Sequence, residues 1–215
     1  MKQLPRYLFF LLLVRPVVLV ILGINARHKH RLPAQGPAII IANHNSHLDT
    51  MVLFTLLPLK LLPRIRPVAA MDYFLRNGVL AWFSLNIIGI LPIRRGKDPA
   101  NPEYDVLTPC HEALEKGDIL IFFPEGSRGD PEQMTRFKSG VARLCERHPD
   151  LPVIPVFMHG LGKALPKGEA ILVPFFCDVF VGESLRWNGD VESFRALLEE
   201  SMMALSREKT GGLKA

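Results

Sequence analysis

The sequence predicts an α/β fold: a single domain with a largely buried central sheet flanked by helices, preceded by an N-terminal hydrophobic, membrane-associating helical segment. Three observations predict it. Short, near-continuous apolar runs bounded by Gly, Pro or Asn recur along the chain, as strands covered on both faces do. Stretches with helical spacing of apolar residues lie between them, and strands alternating with helices around one sheet define the α/β class. Ahead of both, residues 7–24 are apolar almost without interruption. At 215 residues the chain can bury one good core and is short for two catalytic domains.

The N-terminal run is broken at its centre by Arg15-Pro16. A spanning helix needs roughly 20 apolar residues, and a central arginine costs about 2.5–3.5 kcal/mol on insertion scales. Lys2 and Arg6 precede the run and Arg27-His28-Lys29-His30-Arg31 follows it. Basic residues at both flanks and the centre suit a helix or helical hairpin lying in one leaflet, its arginines reaching phosphate headgroups. A signal peptide would need a small-x-small cleavage site, which is missing before the basic run. The competing structural reading is a hydrophobic helix packed on the domain. The motifs begin only after Pro33, so the domain is expected to fold without residues 1–23.

Strands are expected at residues 38–42 (AIIIA), 67–70, 87–93, 118–123 (DILIFF) and 153–157, with a further strand or hairpin within 170–181. Helices are expected at 111–116, 139–147 and 191–206. In the last of these Val191, Phe194, Leu197, Leu198, Met202 and Leu205 share one face, and Asp190 stands as N-cap. The expected organisation is a membrane-associating segment over residues 1–30, the domain over 31–208 and a disordered tail over 209–215.

A net charge of +5 favours anionic partners. Nucleic acid is the poorest of these, since no basic stretch is interleaved with stacking aromatics and no helix-turn-helix or finger pattern occurs. Cys110, Cys145 and Cys177 are odd in number and far apart. That spacing argues against a disulfide framework or a structural zinc site and fits a reduced, cytosol-facing domain.

Three segments carry chemistry. The AIIIA run ends in Asn43-His44-Asn45-Ser46-His47-Leu48-Asp49, which puts a histidine just beyond a buried strand. A carboxylate five residues on can fold back onto the imidazole, fix its tautomer and leave the other nitrogen basic. Other readings compete: Ser46 and Asp49 as a variant capping box, His44 as a turn histidine, or His44, His47 and Asp49 as metal ligands. The second segment is Phe123-Pro124-Glu125-Gly126-Ser127-Arg128-Gly129, where glycines admit an anion to backbone amides and an arginine can grip phosphate. Arg136 and Lys138 add positive charge downstream. The third is Gly89-Ile90-Leu91-Pro92-Ile93-Arg94-Arg95, ending in paired arginines.

In this order the segments resemble the four motifs of the glycerophosphate acyltransferase superfamily, over roughly residues 33–160. The resemblance implies that His44 and Asp49 are the catalytic pair and that Arg95 binds the acceptor phosphate. It also implies that Glu125, Gly126, Ser127 and Arg128 line the acceptor site, and that Val153-Ile154-Pro155-Val156 is the fourth motif. The implied activity is transfer of a fatty acyl group from acyl-CoA or acyl carrier protein to a lysophospholipid hydroxyl, 1-acylglycerol-3-phosphate foremost, giving phosphatidic acid. It requires no metal and no bound cofactor, the donor being a co-substrate. Alternatives of the same chemistry are acceptors such as lyso-ornithine lipid or lysocardiolipin; a different class is a non-catalytic lipid-binding protein. One departure bears on the acceptor: phosphatidate-forming members commonly carry a Lys-Lys-Glu-Leu-like stretch where this chain reads Val68-Ala69-Ala70-Met71-Asp72-Tyr73-Phe74. The expected partners are a membrane lipid surface, the lysophospholipid and the acyl donor, with no nucleic acid. The expected location is the cytoplasmic face of the inner membrane in a bacterium.

Overall fold

Strand β2 (Ala38–Ala42) contains only Ala and Ile, and all of it is buried. Its alternate residues serve opposite layers. Ala38, Ile40 and Ala42 join a core with Val52, Leu53 and Ile121; Ile39 and Ile41 join another with Leu120, Leu144 and Phe194. This period-two division is what a strand sandwiched between two helical layers requires. The computed structural model describes residues 3–46, 48–96, 103–127, 134–164 and 176–211.

Around β2 run β1 (Ile24–Arg27), β3 (Ile65–Ala70), β4 (Leu91–Ile93), β5 (Ile119–Phe122), β6 (Val153–His159) and β7 (Cys177–Val181). They form one seven-stranded sheet in the order β1-β7-β6-β2-β5-β3-β4. Neighbours from β6 to β4 are parallel, β7 lies antiparallel to β6, and β1 runs parallel to β7. The carboxyl ends of β2, β3, β4 and β5 therefore share one edge of the sheet, the edge where ligands of open α/β sheets bind.

The expected strands at 38–42, 118–123 and 153–157 and the helices at 111–116, 139–147 and 191–206 all appear, within a few residues of their expected bounds. The helix Val191–Gly211 starts as its sequence predicts: Asp190 Oδ2 accepts from Ser193 N–H at 2.7 Å. It runs two residues beyond the expected start of the tail at 209, and residues 170–175 of the expected hairpin lie outside the described residues.

Two expectations are corrected. Residues 87–93 are not one strand: Ile87 and Ile88 end the helix Gly78–Ile88, and only Leu91–Ile93 is β. Asn77 caps that helix by accepting from Leu80 N–H at 2.8 Å, and Gly89 ends it in the left-handed region at φ +73°. An apolar run of this length fits either conformation, and the caps decide. Next, Ile24–Arg27, placed by sequence in the membrane segment, is an edge strand of the sheet.

The N-terminal helix Leu4–Ile21 answers to both sequence readings at once. Arg6, Phe10, Val14, Val18 and Leu22 are buried against the domain, while Leu4, Leu8, Leu11, Leu12 and Leu19 are exposed. The buried stripe repeats every four residues, which an ideal α-helix would rotate by about 40° per repeat. Two π-helical turns, Phe10–Val14 and Val17–Ile21, widen the helix and hold the stripe on one face. The buried face of the helix is part of the core, which argues against the expectation that the domain folds without it. Arg6 anchors it: its guanidinium donates to Ile65 O at 3.0 Å and Ile88 O at 2.9 Å. A Cβ on Gly89 would come within 2.7 Å of that guanidinium, so glycine is required there twice over.

The three cysteines are buried. Burial pushes Cys110 and Cys145 up to about 12 and Cys177 to about 11, which makes them poor nucleophiles.

Candidate active site

Beyond Ala42, strand geometry is carried one residue further by a side chain. Asn43 Nδ2 donates to Met158 O at 2.8 Å and its Oδ1 accepts from Met158 N–H at 2.7 Å, imitating a ladder rung between β2 and β6. Asn45 Nδ2 donates to the same carbonyl at 3.1 Å. The chain is thus held straight up to His44 and then turns into the helix Leu48–Leu56.

Asp49, in the first turn of that helix, is fully buried. Its Oδ2 lies 2.9 Å from His44 Nδ1 and accepts from the backbone N–H groups of Asn45 at 2.6 Å and Ser46 at 2.8 Å. Two of the competing readings are therefore realised together: the carboxylate reaches back onto the turn's amides, as a capping box does, and orients the imidazole. Burial pushes the Asp49 carboxyl up, while these hydrogen bonds and His44 pull it down. The His44 side chain is 19% exposed. Its ring stacks on Phe123, at 4.1 Å between centroids and 20° between planes.

Glu125 joins the second motif to the first. Its Oε1 accepts from His44 N–H at 3.1 Å, and its Oε2 accepts from Thr135 N–H and Oγ1, each at 3.3 Å. Glu125 thus braces the backbone of His44 and is itself absent from the cavity wall. Burial raises its carboxyl above the ordinary 4.5. A raised carboxyl keeps its proton longer in the folded state, so the stability it confers falls as pH rises through 4.5 towards the raised value. The difference in urea midpoint between the wild type and Glu125→Gln should therefore shift in favour of the variant between pH 4.5 and 8. Glu125→Ala, which leaves the His44 amide without its acceptor, should lower both the midpoint and the turnover rate.

A cavity of about 1110 Å³ lies over the carboxyl edge of the sheet and is lined by His44, Phe123, Gly126 and Ser127. Arg94, Arg95, Lys138 and Arg143 supply cationic groups on its wall, and Glu103 and Asp105 supply acidic ones. Away from the charges the lining is apolar, including Met51, Val68, Phe74, Leu80, Phe83 and Ile90. Such a space, polar at one part and greasy at another, suits an amphiphile. Arg95 follows β4, is more than half exposed, and faces Asp72 Oδ1 at 3.6 Å.

The sequence-derived residues fall as follows. His44, Asp49 and Glu125 form one hydrogen-bonded unit; Arg95, Gly126 and Ser127 line the same cavity as His44; Arg128 and His47 lie outside the described residues. Lys138, noted only for its charge, comes over Gly126 closely enough that a Cβ there would meet its Nζ at 2.5 Å. Gly126 also has φ +77°. Arg136 instead turns to Glu192 at 3.8 Å. Asn43, Thr135 and Arg143 were missed. Thr135 and Arg143 carry no motif of their own, and Asn43 reads as an ordinary strand-end residue.

A family model described as Acyltransferase matches residues 23–159. A chloroplastic 1-acyl-sn-glycerol-3-phosphate acyltransferase of Arabidopsis thaliana is 31% identical over 156 residues, covering 69% of this chain and 40% of the relative. The alpha form of the same enzyme from Mus musculus is 27% identical over 212 residues, covering 94% of this chain and 70% of the relative. The chain thus spans well under half of the plant relative's length. The crystal structure of a 1-acyl-sn-glycerophosphate acyltransferase from Thermotoga maritima superposes with a TM-score of 0.70, at 19% identity, over 87% of this chain and 72% of that one. That likeness establishes the fold.

Proposed function

Since this chain belongs to the acyltransferase family, we propose that it moves a fatty acyl group from an acyl thioester to a lysophospholipid hydroxyl, with 1-acylglycerol-3-phosphate as the acceptor. The observation that carries the reading is His44 on the wall of an amphiphile-shaped cavity with the buried Asp49 carboxylate behind its Nδ1. With Nδ1 committed to Asp49, Nε2 is the nitrogen available to an acceptor hydroxyl. Nε2 takes the hydroxyl proton as the oxygen attacks the thioester carbonyl. The tetrahedral intermediate collapses with cleavage of the C–S bond, and the imidazolium returns the proton to the leaving thiolate. Asp49 stabilises the imidazolium without taking its proton. A general base of this kind contributes about 10²–10⁴-fold; bringing both substrates into one cavity supplies much of the rest.

In this reading Arg95, Lys138 and the turn at Gly126-Ser127 receive the acceptor phosphate, and the apolar lining receives acyl chain. The donor is acyl-CoA or acyl carrier protein, and no metal or resident cofactor takes part. The protein works at a membrane surface, with its domain on the cytoplasmic side.

A second acceptor class has one observation behind it. Asp72 stands 3.6 Å from Arg95, within the segment that lacks the family's lysines. A headgroup carrying both an ammonium and an anion would find a partner for each. The deciding experiment offers the purified protein labelled acyl-CoA and acyl carrier protein with a panel of lysolipids and identifies the products by mass. Phosphatidic acid as the main product supports the first reading, and a zwitterionic product supports the second. No lipid product from any pairing would overturn both.

Arg95→Ala should raise the acceptor KM roughly tenfold, the low end for a lost charge-assisted bond because the side chain is half exposed. The donor KM should stay put. Equal rises in both would sink the assignment of Arg95 to the acceptor.

A further inference from the structure

The helix Gly78–Ile88 presents apolar side chains on two sides, and the described residues cover only one. Leu80, Phe83, Ser84 and Ile88 line the cavity. On the outer side Val79 is 83% exposed, Trp82 58% and Leu85 41%. These positions, three residues apart, follow one face of the helix. Isolated exposed apolar residues need no explanation, but a contiguous group does.

The group continues onto a neighbour. Phe83 meets Phe9 of the N-terminal helix edge-on, with centroids 5.3 Å apart, and Arg6 of that helix holds Ile88 O at 2.9 Å. The N-terminal helix exposes Leu4, Leu8, Leu11 and Leu12. A helix that is apolar all round belongs in a core or in lipid, and this one has no core on its outer side. The residues at its margin have the chemistry of a water–lipid boundary. Tyr73 is partly exposed with the Arg76 guanidinium 5.1 Å above its ring, and Arg94 and Arg95 follow β4; Asp72, the acid of the group, is paired to Arg95.

We propose that the outer face of this helix (Val79, Trp82 and Leu85) lies in the same lipid leaflet as the N-terminal helix, so that one wall of the cavity is also a membrane contact. A lysolipid could then pass from leaflet to cavity with its chain shielded from water. The proposal rests on the membrane-associating reading of the N-terminal helix and, for its purpose, on the lipid acceptor proposed above.

The chain holds two tryptophans, and Trp187 packs edge-on against Phe194 in the other core. Trp187→Phe keeps that contact aromatic and leaves Trp82 as sole reporter. The full chain would be bound to vesicles of phosphatidylcholine and phosphatidylglycerol with ordinary or brominated acyl chains. An interfacial helix sits about 5–10 Å into the headgroup–acyl boundary, so bromination should weaken Trp82 emission roughly twofold or more. Equal emission from the two kinds of vesicle-bound protein would overturn the proposal. So would emission that follows protein concentration instead of bromination, the mark of a second copy covering the face. Val79→Asp with Trp82→Asp changes only exposed positions and should weaken vesicle affinity roughly tenfold. The double variant should still acylate a short-chain, water-soluble acceptor; unaltered vesicle affinity would also overturn the proposal. Quenching needs no turnover, so an inactive protein that quenches refutes the acyl transfer alone, and an active one that does not refutes this contact alone.

Discussion

His44→Ala is expected to give a folded protein that transfers acyl groups at least about a hundredfold more slowly, the lower bound for loss of a positioned general base. The fold should survive because the imidazole lies on the cavity wall, stacked on one ring and partly exposed. The turn around it is held by other groups: the side chains of Asn43, Asp49 and Glu125, all acting on backbone atoms. Asp49→Asn should behave differently. It removes the charge that steadies the imidazolium and puts an amide donor where the Asp49 Oδ1 atom has no hydrogen-bond partner among the described residues. An unpaired buried donor costs about 1–3 kcal/mol, so this variant should lose both rate and melting temperature. The pair of experiments is single-turnover kinetics plus a melting curve for each variant. If His44→Ala kept more than a few per cent of the wild-type rate, the general-base assignment would fail.

Deleting residues 1–23 is expected to leave a chain that does not fold cooperatively. The deletion strips Phe10, Val14, Val18 and Leu22 from a continuous core and removes the donor that satisfies Ile65 O and Ile88 O. At about 1.5–3 kcal/mol for each buried apolar side chain, the loss is of order 6–12 kcal/mol, comparable with the whole stability of a domain. A milder probe, Arg6→Met, keeps most of the volume and removes the two buried hydrogen bonds to Ile65 O and Ile88 O; it should cost about 2–4 kcal/mol. Thermal and urea unfolding would test both. A truncated protein melting cooperatively within a few degrees of the full chain would show that the helix is only an anchor.

Much of the fold was legible because its strands are short runs of one chemistry. AIIIA, DILIFF and the run from Val153 admit few structures other than doubly covered strands, and all three are strands of the sheet. The run through Ile87 and Ile88 was misread because length and hydrophobicity alone do not separate a buried strand from the end of a buried helix. Asn77 and Gly89 separate them, ten and one residues away from that pair. Ile24–Arg27 was not read as a strand, because its alternation lasts only four residues directly after a long apolar run and its sheet neighbour among the described residues is β7, some 150 positions later.

The same division holds at the site. The His44–Asp49 pair needs only a strand end, a turn and the first turn of a helix, so the spacing from His44 to Asp49 by itself brings Nδ1 to Oδ2. Short loops close at little entropic cost and their geometry is set by residues in between. Glu125 was recognisable as part of a motif, but its contact with the His44 amide crosses 81 positions and exists only because β2 and β5 are paired. Arg6 is the limiting case. In sequence it is a basic flank of an apolar helix, indistinguishable from a residue that reaches for lipid headgroups. In the fold it is buried and tied to carbonyls 59 and 82 positions away. The pairing of His44 with Asp49 was written locally and the sequence determined it. Which side of its first helix meets protein and which stays exposed was decided by the surface that the rest of the chain presents, and only the tertiary structure contains that surface.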